Sequence, residues 1–229
     1  MTYCCSDFHG YLRAYEAVNE YIKPNDKVIF LGDAADRGPD GWEIIKKILN
    51  NPQWIYLKGN HEDMLVKALK YYFIQDELED TYSFSNALYH LESNGGSKTY
   101  EDAIMDANVR SIYEKIKNLP CYMEHESKDK TILLSHAGFT YKENLTISEK
   151  DLLWDRDHID DITYYNDRHL VVHGHTPIPF IKLGYAPKEW DAETHWYNNG
   201  QKVCIDAGAV FYHKVILLNL DTLKDVILI

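Results

Sequence analysis

Two aspartates and an arginine follow a short apolar run near the start of the chain. The run, Val28–Leu31, has the composition of a strand buried on both faces, and Asp33, Asp36 and Arg37 come soon after it. Glycines on either side of these residues allow the backbone to turn tightly. Because a buried carboxylate is costly unless it is paired or bound to a cation, the stretch predicts a positively charged partner, for which a metal ion is the candidate.

Four further loops repeat this arrangement, in which an apolar segment ends and metal-binding side chains begin. The side chains of the five loops are Asp7, His9, Asp33, Asp36, Asn60, His61, His136 and His175. Ligand sites of open α/β sheets gather beyond the carboxyl ends of the strands, so parallel neighbours would bring these loops together. Mixed oxygen and imidazole ligands suit Mn, Fe, Zn or Ni rather than Ca, which takes oxygen ligands. The set is too large for one ion that keeps an open position, so a two-metal site is the economical interpretation.

Each loop also has an ordinary interpretation when it is taken singly. The pair Asp7-x-His9 is no more than a turn, and Asp36-Arg37 is more often a surface ion pair than a catalytic element. A helix cap explains Asn60 equally well, and a lone histidine is more often a hydrogen-bonded core residue than a ligand. The metal interpretation rests on all five loops occurring in order, each after a strand.

The segments between the loops favour an α/β domain. Strands are predicted at 3–5, 28–31, 54–57, 131–134, 170–172 and 203–205, with a hairpin formed by 214–220 and 224–229. Residues 63–118 show helical patterns without a strand signal, including one helix over 104–119, which predicts a helical insertion over one edge of the site. We expect a single domain over 1–229, since a chain of 229 residues can bury one sizeable core.

Composition excludes several classes of function. The net charge of −12 disfavours binding to nucleic acid or to an anionic membrane, although bound metals can reverse the local field for a phosphorylated substrate. No apolar run approaches the roughly 20 residues of a membrane helix, and the first residues lack the pattern of a signal peptide. The four cysteines suggest neither a disulfide framework nor a zinc site, so we expect reduced thiols and a cytoplasmic location.

Five segments of the chain resemble the signature of the calcineurin-like metallophosphoesterases. They are Asp7-x-His9, Gly32-Asp33-x-x-Asp36-Arg37-Gly38, Gly59-Asn60-His61-Glu62, His136 and Gly174-His175. Two more resemble the phage-lambda and bacterial branch of the serine/threonine phosphoprotein phosphatases: Leu152-Leu153-Trp154-Asp155-Arg156 and Ile205-Asp206-Ala207-Gly208-Ala209-Val210-Phe211. The resemblance covers nearly the whole chain but is weak at 63–118. It implies a layered β-sandwich of two mixed sheets flanked by helices.

The resemblance also implies roles for individual residues. Six would hold two divalent ions, with Mn favoured and Fe, Zn or Ni as alternatives: Asp7 and His9 the first, Asp33 both, and Asn60, His136 and His175 the second. Four would act on the substrate: His61 as general acid, Asp36 as its hydrogen-bond acceptor, and Arg37 and Arg156 as ligands of the phosphoryl oxygens. Without the resemblance, Arg156 is more simply read as a surface ion pair with Asp155 or Asp157.

The function implied is hydrolysis of phosphoserine and phosphothreonine in proteins, by direct attack of a hydroxide that bridges the two metals. The alternative is symmetrical hydrolysis of diadenosine tetraphosphate, or of another nucleotide, because related enzymes share every motif named above. A third hypothesis is a metal-poor scaffold that only binds partners. Such a protein should have lost ligands or the general acid, and all of them are present here.

Overall fold

Ten strands form two five-stranded mixed sheets in the computed structural model, which describes residues 1–74, 81–139, 147–162 and 167–229. The strands are β1 (Thr2–Cys5), β2 (Lys27–Phe30), β3 (Trp54–Tyr56), β4 (Tyr122–Ser127), β5 (Lys130–Ser135), β6 (His169–His173), β7 (His195–Tyr197), β8 (Lys202–Cys204), β9 (Val215–Asn219) and β10 (Asp225–Leu228). The first sheet has the order β10-β9-β1-β2-β3 and the second the order β4-β5-β6-β8-β7. Neighbours pair in parallel among β1, β2 and β3 of the first sheet and among β5, β6 and β8 of the second; the other pairs are antiparallel.

Helices cover the sheets and connect the parallel strands. They are α1 (Leu12–Tyr21), α2 (Gly41–Asn50), α3 (Asn60–Ile74), α4 (Thr81–Ser93), α5 (Ser97–Met105), α6 (Val109–Lys117), α7 (Glu149–Trp154), α8 (Ile178–Leu183) and α9 (Ala209–Tyr212). The prediction of two mixed sheets flanked by helices is confirmed. None of these helices, in the part of the chain that the structure describes, is both long and apolar enough to cross a membrane.

Alternate residues of the strands form two different cores. Cys4 of β1 and Ile29 of β2 belong to a cluster that includes Leu170 of β6, so it fills the space between the sheets. Their neighbours Cys5 and Phe30 point to the other side and pack with α1, α2 and α3. Because both faces are buried, these strands read as continuous apolar runs in the sequence.

Two strands were not predicted, and both lie at the edges of the second sheet. β4 pairs only with β5, and exposed residues such as Glu124 and Glu126 alternate along it with partly buried ones. β7 has three residues and no fully buried side chain. An edge strand with one solvated face carries few apolar residues, so the apolar pattern does not mark it.

The helix predicted over 104–119 is wrong, because α5 and α6 are separated there. Asp106 ends α5: its Oδ1 accepts the N–H of Asn108 at 2.8 Å, and its Oδ2 accepts the Trp42 Nε1–H at 3.0 Å. Asp side chains favour such local turns over a continuing helix. Within 63–118, the described residues form helices and no strand; 75–80 lie outside the described residues. The division into one domain with an insertion at 63–118 stays a prediction.

Candidate metal centre

The carboxyl ends of the parallel strands of both sheets meet, and hydrogen bonds join their loops. Within the first sheet, the Asp7 N–H donates to the Gly32 carbonyl at 3.0 Å. Within the second, the Gly174 N–H donates to the His136 carbonyl at 2.9 Å. The His175 N–H donates to Asp7 Oδ2 at 3.0 Å and so links the two sheets. Loops that are distant in the sequence therefore face a single pocket.

Asp33 lies at the middle of this pocket and is 1% exposed. Its Oδ2 is 3.5 Å from His9 Nε2 and 3.3 Å from His136 Nε2. Two groups of potential ligand atoms, each lying within 4.8 Å of one another, share this carboxylate: His9, Asp33 and His61, and Asp33, His136 and His175. A carboxylate shared by two groups can serve two cations.

The hydrogen bonds of His9 and His136 set which ring nitrogen faces the pocket. His9 Nδ1 lies 3.0 Å from the Ala35 carbonyl oxygen, and His136 Nδ1 lies 3.0 Å from the Leu31 carbonyl oxygen. Since a carbonyl oxygen only accepts, each Nδ1 carries the hydrogen. Each Nε2 is then directed at Asp33. Metal-binding histidines are arranged in the same way: one ring nitrogen faces the metal, and the other donates a hydrogen bond to the protein.

Acceptor atoms converge around His136. Asn60 Oδ1 lies 2.8 Å from His136 Nε2 and 3.0 Å from His175 Nδ1, and these two ring nitrogens are 3.1 Å apart. On the other side of Asp33, Asp7 Oδ1 lies 3.7 Å from His9 Nε2, and within the described residues this buried oxygen has no hydrogen-bond partner. Oxygen and imidazole acceptors that face each other fit divalent cations. The six predicted metal ligands are therefore brought together, and they form two adjacent groups around Asp33.

The pocket attracts positive charge. Burial alone would lower the pKa of His136, but the Asp33 carboxylate outweighs it and raises that pKa to about 9. Burial opposes ionisation of Asp33, yet His136 and His61 bring the pKa of this carboxyl well below its usual range. Burial and neighbouring positive groups lower the pKa values of His9 and His175, which keeps these two rings neutral and able to bind a metal.

His61 is held between a carboxylate and a guanidinium. Its Nδ1 lies 2.7 Å from Asp36 Oδ2, and Arg37 Nη2 lies 3.3 Å from its Nε2. His61 Nε2 also belongs to the first ligand group, 3.8 Å from Asp33 Oδ2. Because Asp36 fixes Nδ1, Nε2 is the ring nitrogen that faces the pocket, beside Arg37.

Arg156 lies two residues after the end of α7, and its side chain is exposed. Its charge contributes to the lowered pKa of His175, which shows that the two side chains are near each other. Among the described residues, its guanidinium has no carboxylate within ion-pair distance, so the alternative of a surface pair with Asp155 or Asp157 has no support. Its role as a phosphate ligand stays a prediction.

Backbone strain is concentrated in the loops of the pocket. Six of the predicted site residues have positive φ angles: Asp7 (57°), His9 (46°), Asp33 (63°), Asp36 (70°), Arg37 (65°) and His175 (67°). This conformation costs a residue other than glycine about 1–3 kcal/mol and clusters at functional sites. Hydrogen bonds between the loops hold these residues at positive φ, although each would by itself prefer a negative φ. No sequence pattern indicated the positive φ angles.

Two glycines of the motifs allow carboxylates to approach the backbone closely. A Cβ atom at Gly59 would lie 2.1 Å from Asp33 Oδ1, and one at Gly174 would lie 2.1 Å from Asp7 Oδ2. Since real side chains do not tolerate such distances, any other residue would displace the two aspartates.

Glu62 is a positioning residue that the sequence reasoning missed. Its buried carboxylate accepts the N–H groups of Asp33 at 2.7 Å, Ala34 at 2.9 Å and Gly59 at 2.9 Å. It therefore ties the loop after β2 to the loop after β3. The signal available in the sequence was its place in the Gly59-Asn60-His61-Glu62 motif.

The chain belongs to the calcineurin-like phosphoesterase family, whose model matches residues 2–179. This match confirms the resemblance carried by the loop motifs. Phosphoesterases of this family use divalent metals, and the two ligand groups around Asp33 supply candidate sites for them.

Two sequence relatives carry different names. The asymmetrical bis(5'-nucleosyl)-tetraphosphatase PrpE of Anoxybacillus flavithermus is 25% identical over 249 residues, covering 96% of this chain and 90% of its own length. Serine/threonine-protein phosphatase 2 of Escherichia coli is 27% identical over 143 residues, covering 58% of this chain and 56% of its own length.

Solved structures share the fold. One, provisionally named a diadenosine tetraphosphatase, has a TM-score of 0.64 and 12% identity, covering 99% of this chain and 91% of its own. A protein serine/threonine phosphatase from Saccharomyces cerevisiae has a TM-score of 0.59 and 13% identity, covering 99% of this chain and 78% of its own. At these identities the likeness concerns the fold alone.

Proposed function

We propose that this chain is a phosphohydrolase that holds two divalent ions, with Mn as the favoured metal. The ligands are Asp7, His9, Asp33, Asn60, His136 and His175. The observation that carries the proposal is the position of Asp33, whose Oδ2 lies 3.5 Å from His9 Nε2 and 3.3 Å from His136 Nε2. Two divalent ions bound there would lower the pKa of water and neutralise charge on the phosphoryl oxygens.

His61 is the proton donor to the leaving oxygen. Burial opposes the charged form, but the Asp33 and Asp36 carboxylates outweigh burial and raise the pKa of His61. The raised pKa favours the charged form of the ring. Its Nδ1 is fixed by Asp36 at 2.7 Å, so Nε2 is the atom that delivers the proton.

Arg37 and Arg156 bind the phosphoryl oxygens. Both guanidinium groups are exposed at the open side of the pocket, on different loops. A guanidinium matches two phosphoryl oxygens at once and stays charged at all working pH values. Two of them on separate loops would orient the phosphoryl group towards Asp33.

Phosphoserine and phosphothreonine in proteins are one candidate substrate class. A serine or threonine alkoxide is a poor leaving group that needs a proton, and His61 as a general acid would supply it. The similarity to the Escherichia coli phosphatase supports this candidate over 58% of the chain.

Dinucleoside polyphosphates are the second candidate class. The similarity to the Anoxybacillus flavithermus tetraphosphatase favours them, because it extends over 96% of the chain. The sequence alternative was symmetrical cleavage, whereas that relative is named asymmetrical. Chromatography of the products of diadenosine tetraphosphate separates the two positions: two ADP indicate symmetrical cleavage, and ATP with AMP indicate asymmetrical cleavage.

Metal analysis with a substrate panel tests the proposal. We expect about two Mn per chain and turnover of p-nitrophenyl phosphate, with both lost in Asp33→Asn because the shared carboxylate becomes an amide. Asp129→Asn is the matched control, since Asp129 is exposed in the turn between β4 and β5. A Mn-loaded protein inert towards p-nitrophenyl phosphate, a phosphopeptide and diadenosine tetraphosphate would refute the proposal, as would an Asp33→Asn variant with full metal content.

A further inference from the structure

A groove of about 780 Å³ opens beside the metal centre, between α3, α4 and α7. The residues that matter for its chemistry are Lys67, Lys70, Tyr71, Asn94, Lys150 and Trp154, and the name α3–α7 groove refers to the space between them. Its volume lies within the roughly 300–1,000 Å³ of sites that bind small molecules. No residue of the proposed metal centre lines it.

The α3–α7 groove lies next to the pocket around Asp33. The Trp154 ring, in its wall, lies 6.3 Å from the ring of the metal ligand His175. Asn94, at the opposite wall, precedes Gly95, whose carbonyl accepts the Arg37 N–H at 2.9 Å. Along α3, Lys67 and Tyr71 follow Asn60 by seven and eleven residues, which is about 10 and 16 Å along a helix axis. A molecule that occupies the groove can therefore reach the metal centre with one end.

The charge of the α3–α7 groove is opposite to that of the chain. The net charge is −12, yet three lysines and no carboxylate line the groove in the part of the chain that the structure describes. Lys67 pairs with Asp63 at 2.7 Å, but Lys70 and Lys150 have no carboxylate within ion-pair distance among the described residues. A cleft lined by one sign of charge concentrates ligands of the opposite sign.

Aromatic side chains occur at both ends of this basic surface. Trp154 lies next to the metal centre, and Tyr71 lies near the far end of α3. Aromatic faces stack with nucleic-acid bases of any sequence, and lysines attract phosphates. A polyphosphate chain that ends in a nucleoside would contact both the lysines and the aromatic side chains. The backbone of a phosphopeptide is uncharged and would use neither.

We propose that the α3–α7 groove binds the polyphosphate and the distal nucleoside of a dinucleoside polyphosphate whose scissile phosphoanhydride lies at the metal centre. The inference rests on the proposed phosphohydrolase function and names its substrate class. In the reaction, the oxygen of water bonds to one phosphorus and the bond from that phosphorus to the bridging oxygen breaks. The bridging oxygen keeps the electron pair and the second product leaves as a phosphate; the water protons go to the products or to solvent.

The test compares KM values in a variant that carries Lys67→Gln, Lys70→Gln and Lys150→Gln. Because each exposed charge contributes modestly, we expect KM for diadenosine tetraphosphate to rise about 5- to 50-fold more than KM for p-nitrophenyl phosphate at low salt. The KM of the wild type for the dinucleotide should rise with salt, and this dependence should weaken in the variant. Lys47→Gln is the matched control, since Lys47 is a half-exposed helical lysine that pairs with Glu43 four residues earlier, as Lys67 does with Asp63.

The outcomes separate this inference from the proposed function. If the Mn-loaded wild type is inert towards p-nitrophenyl phosphate, a phosphopeptide and diadenosine tetraphosphate alike, the proposed function fails first. If it hydrolyses one of the other two substrates but not diadenosine tetraphosphate, or if the triple variant raises the KM values for the dinucleotide and p-nitrophenyl phosphate equally, the groove assignment is overturned. If the triple variant raises KM for a phosphopeptide but not for p-nitrophenyl phosphate or the dinucleotide, the groove binds a peptide, and the assignment to a dinucleoside polyphosphate is overturned. If Lys47→Gln raises KM for diadenosine tetraphosphate as much as the triple variant does, the effect comes from the net charge of the protein and not from the groove. This result also overturns the groove assignment.

Discussion

His61 is held by two neighbours whose charges are opposite. Asp36 Oδ2 accepts a hydrogen bond from Nδ1 at 2.7 Å, and the Arg37 guanidinium faces Nε2 at 3.3 Å. The Asp33 and Asp36 carboxylates raise the pKa of the ring, while the Arg37 guanidinium lowers it. One ring nitrogen is thus fixed by a carboxylate, and the other faces the pocket beside the arginine that we propose binds the phosphoryl group.

Replacing His61 should affect substrates according to their leaving groups. In His61→Asn we expect kcat for a phosphoserine peptide to fall about 10²–10⁴-fold, the usual size of general acid catalysis. The loss should be smaller for p-nitrophenyl phosphate and for a dinucleotide, whose leaving groups need little protonation. Steady-state kinetics on the three substrates measures this, and His125→Asn, outside the site on β4, is the control. An equal loss on all three would contradict the role of His61 as an acid.

At the scale of elements, a buried lysine holds the loop that carries Arg156. Lys202 of β8 is fully buried, and its Nζ donates to the carbonyl oxygens of His158 at 2.5 Å and Asp161 at 2.8 Å. Burial lowers the pKa of Lys202 to about 8, so the ammonium stays charged at neutral pH. The charged lysine therefore anchors residues on the C-terminal side of Arg156.

Removing this anchor should weaken substrate binding through Arg156. In Lys202→Met the two carbonyl groups lose a buried donor, so we expect the free energy of unfolding to fall by about 2–4 kcal/mol. The KM for p-nitrophenyl phosphate should rise, and a double-mutant cycle with Arg156→Ala should show that the two effects on KM are not additive. Lys130→Met, on the half-buried lysine that begins β5, is the control. Additive effects would mean that Lys202 stabilises the fold without positioning Arg156.

Two buried histidines in the same region predict a dependence of stability on pH. Burial lowers the pKa of His158 to about 2 and that of His173 to about 3, and their rings are 4.7 Å apart. Below pH 6.5 the unfolded chain binds protons that the folded chain does not, so stability is present above pH 6.5 and is lost as the pH falls.

The variant His158→Gln should flatten this dependence. We expect the slope of the free energy of unfolding against pH, between pH 6 and 4.5, to decrease by about 1.4 kcal/mol per pH unit. Urea unfolding at several pH values measures the slope. The difference in the free energy of unfolding between the two proteins at pH 7.5 gives the loss of packing caused by the substitution. Parallel curves for the two proteins would show that His158 is protonated in the folded state.

At the scale of the whole molecule, the proposed metal centre joins the two sheets. Asp7, His9, Asp33 and Asn60 follow strands of the first sheet, whereas His136 and His175 follow strands of the second. Bound ions would therefore connect parts of the chain that are otherwise held together by the apolar core between the sheets.

Removal of the ions should lower the melting temperature of the protein. A ligand present at 1,000 times its Kd stabilises the folded state by about 4 kcal/mol, which is about 8–16 °C for a protein of this size. Calorimetry of the Mn-loaded protein with and without EDTA measures the shift, and Asp33→Asn should show little of it. Equal melting temperatures with and without EDTA would contradict the proposed metal centre.

The local patterns were sufficient to predict the central strands and the types of residue that follow them. Continuous apolar runs mark β1, β2, β5 and β6, because both faces of these strands are buried. They were not sufficient for β4 and β7, whose exposed edges lack such a pattern, or for the end of α5, which depends on a side-chain turn at Asp106. A strand at a sheet edge is defined by its neighbour, which is distant in the sequence.

By itself, the sequence determined the family of this protein and the residues that belong to its motifs, because residue type and spacing are local properties. Only the tertiary structure decided how those residues are arranged: the positive φ angles of six of them, the four loop N–H groups whose hydrogen bonds Glu62 accepts, and the basic groove beside Trp154. Each of these depends on contacts between segments far apart in the chain. Such contacts leave no periodic pattern, since the energy that selects them comes from packing and hydrogen bonding in the folded state.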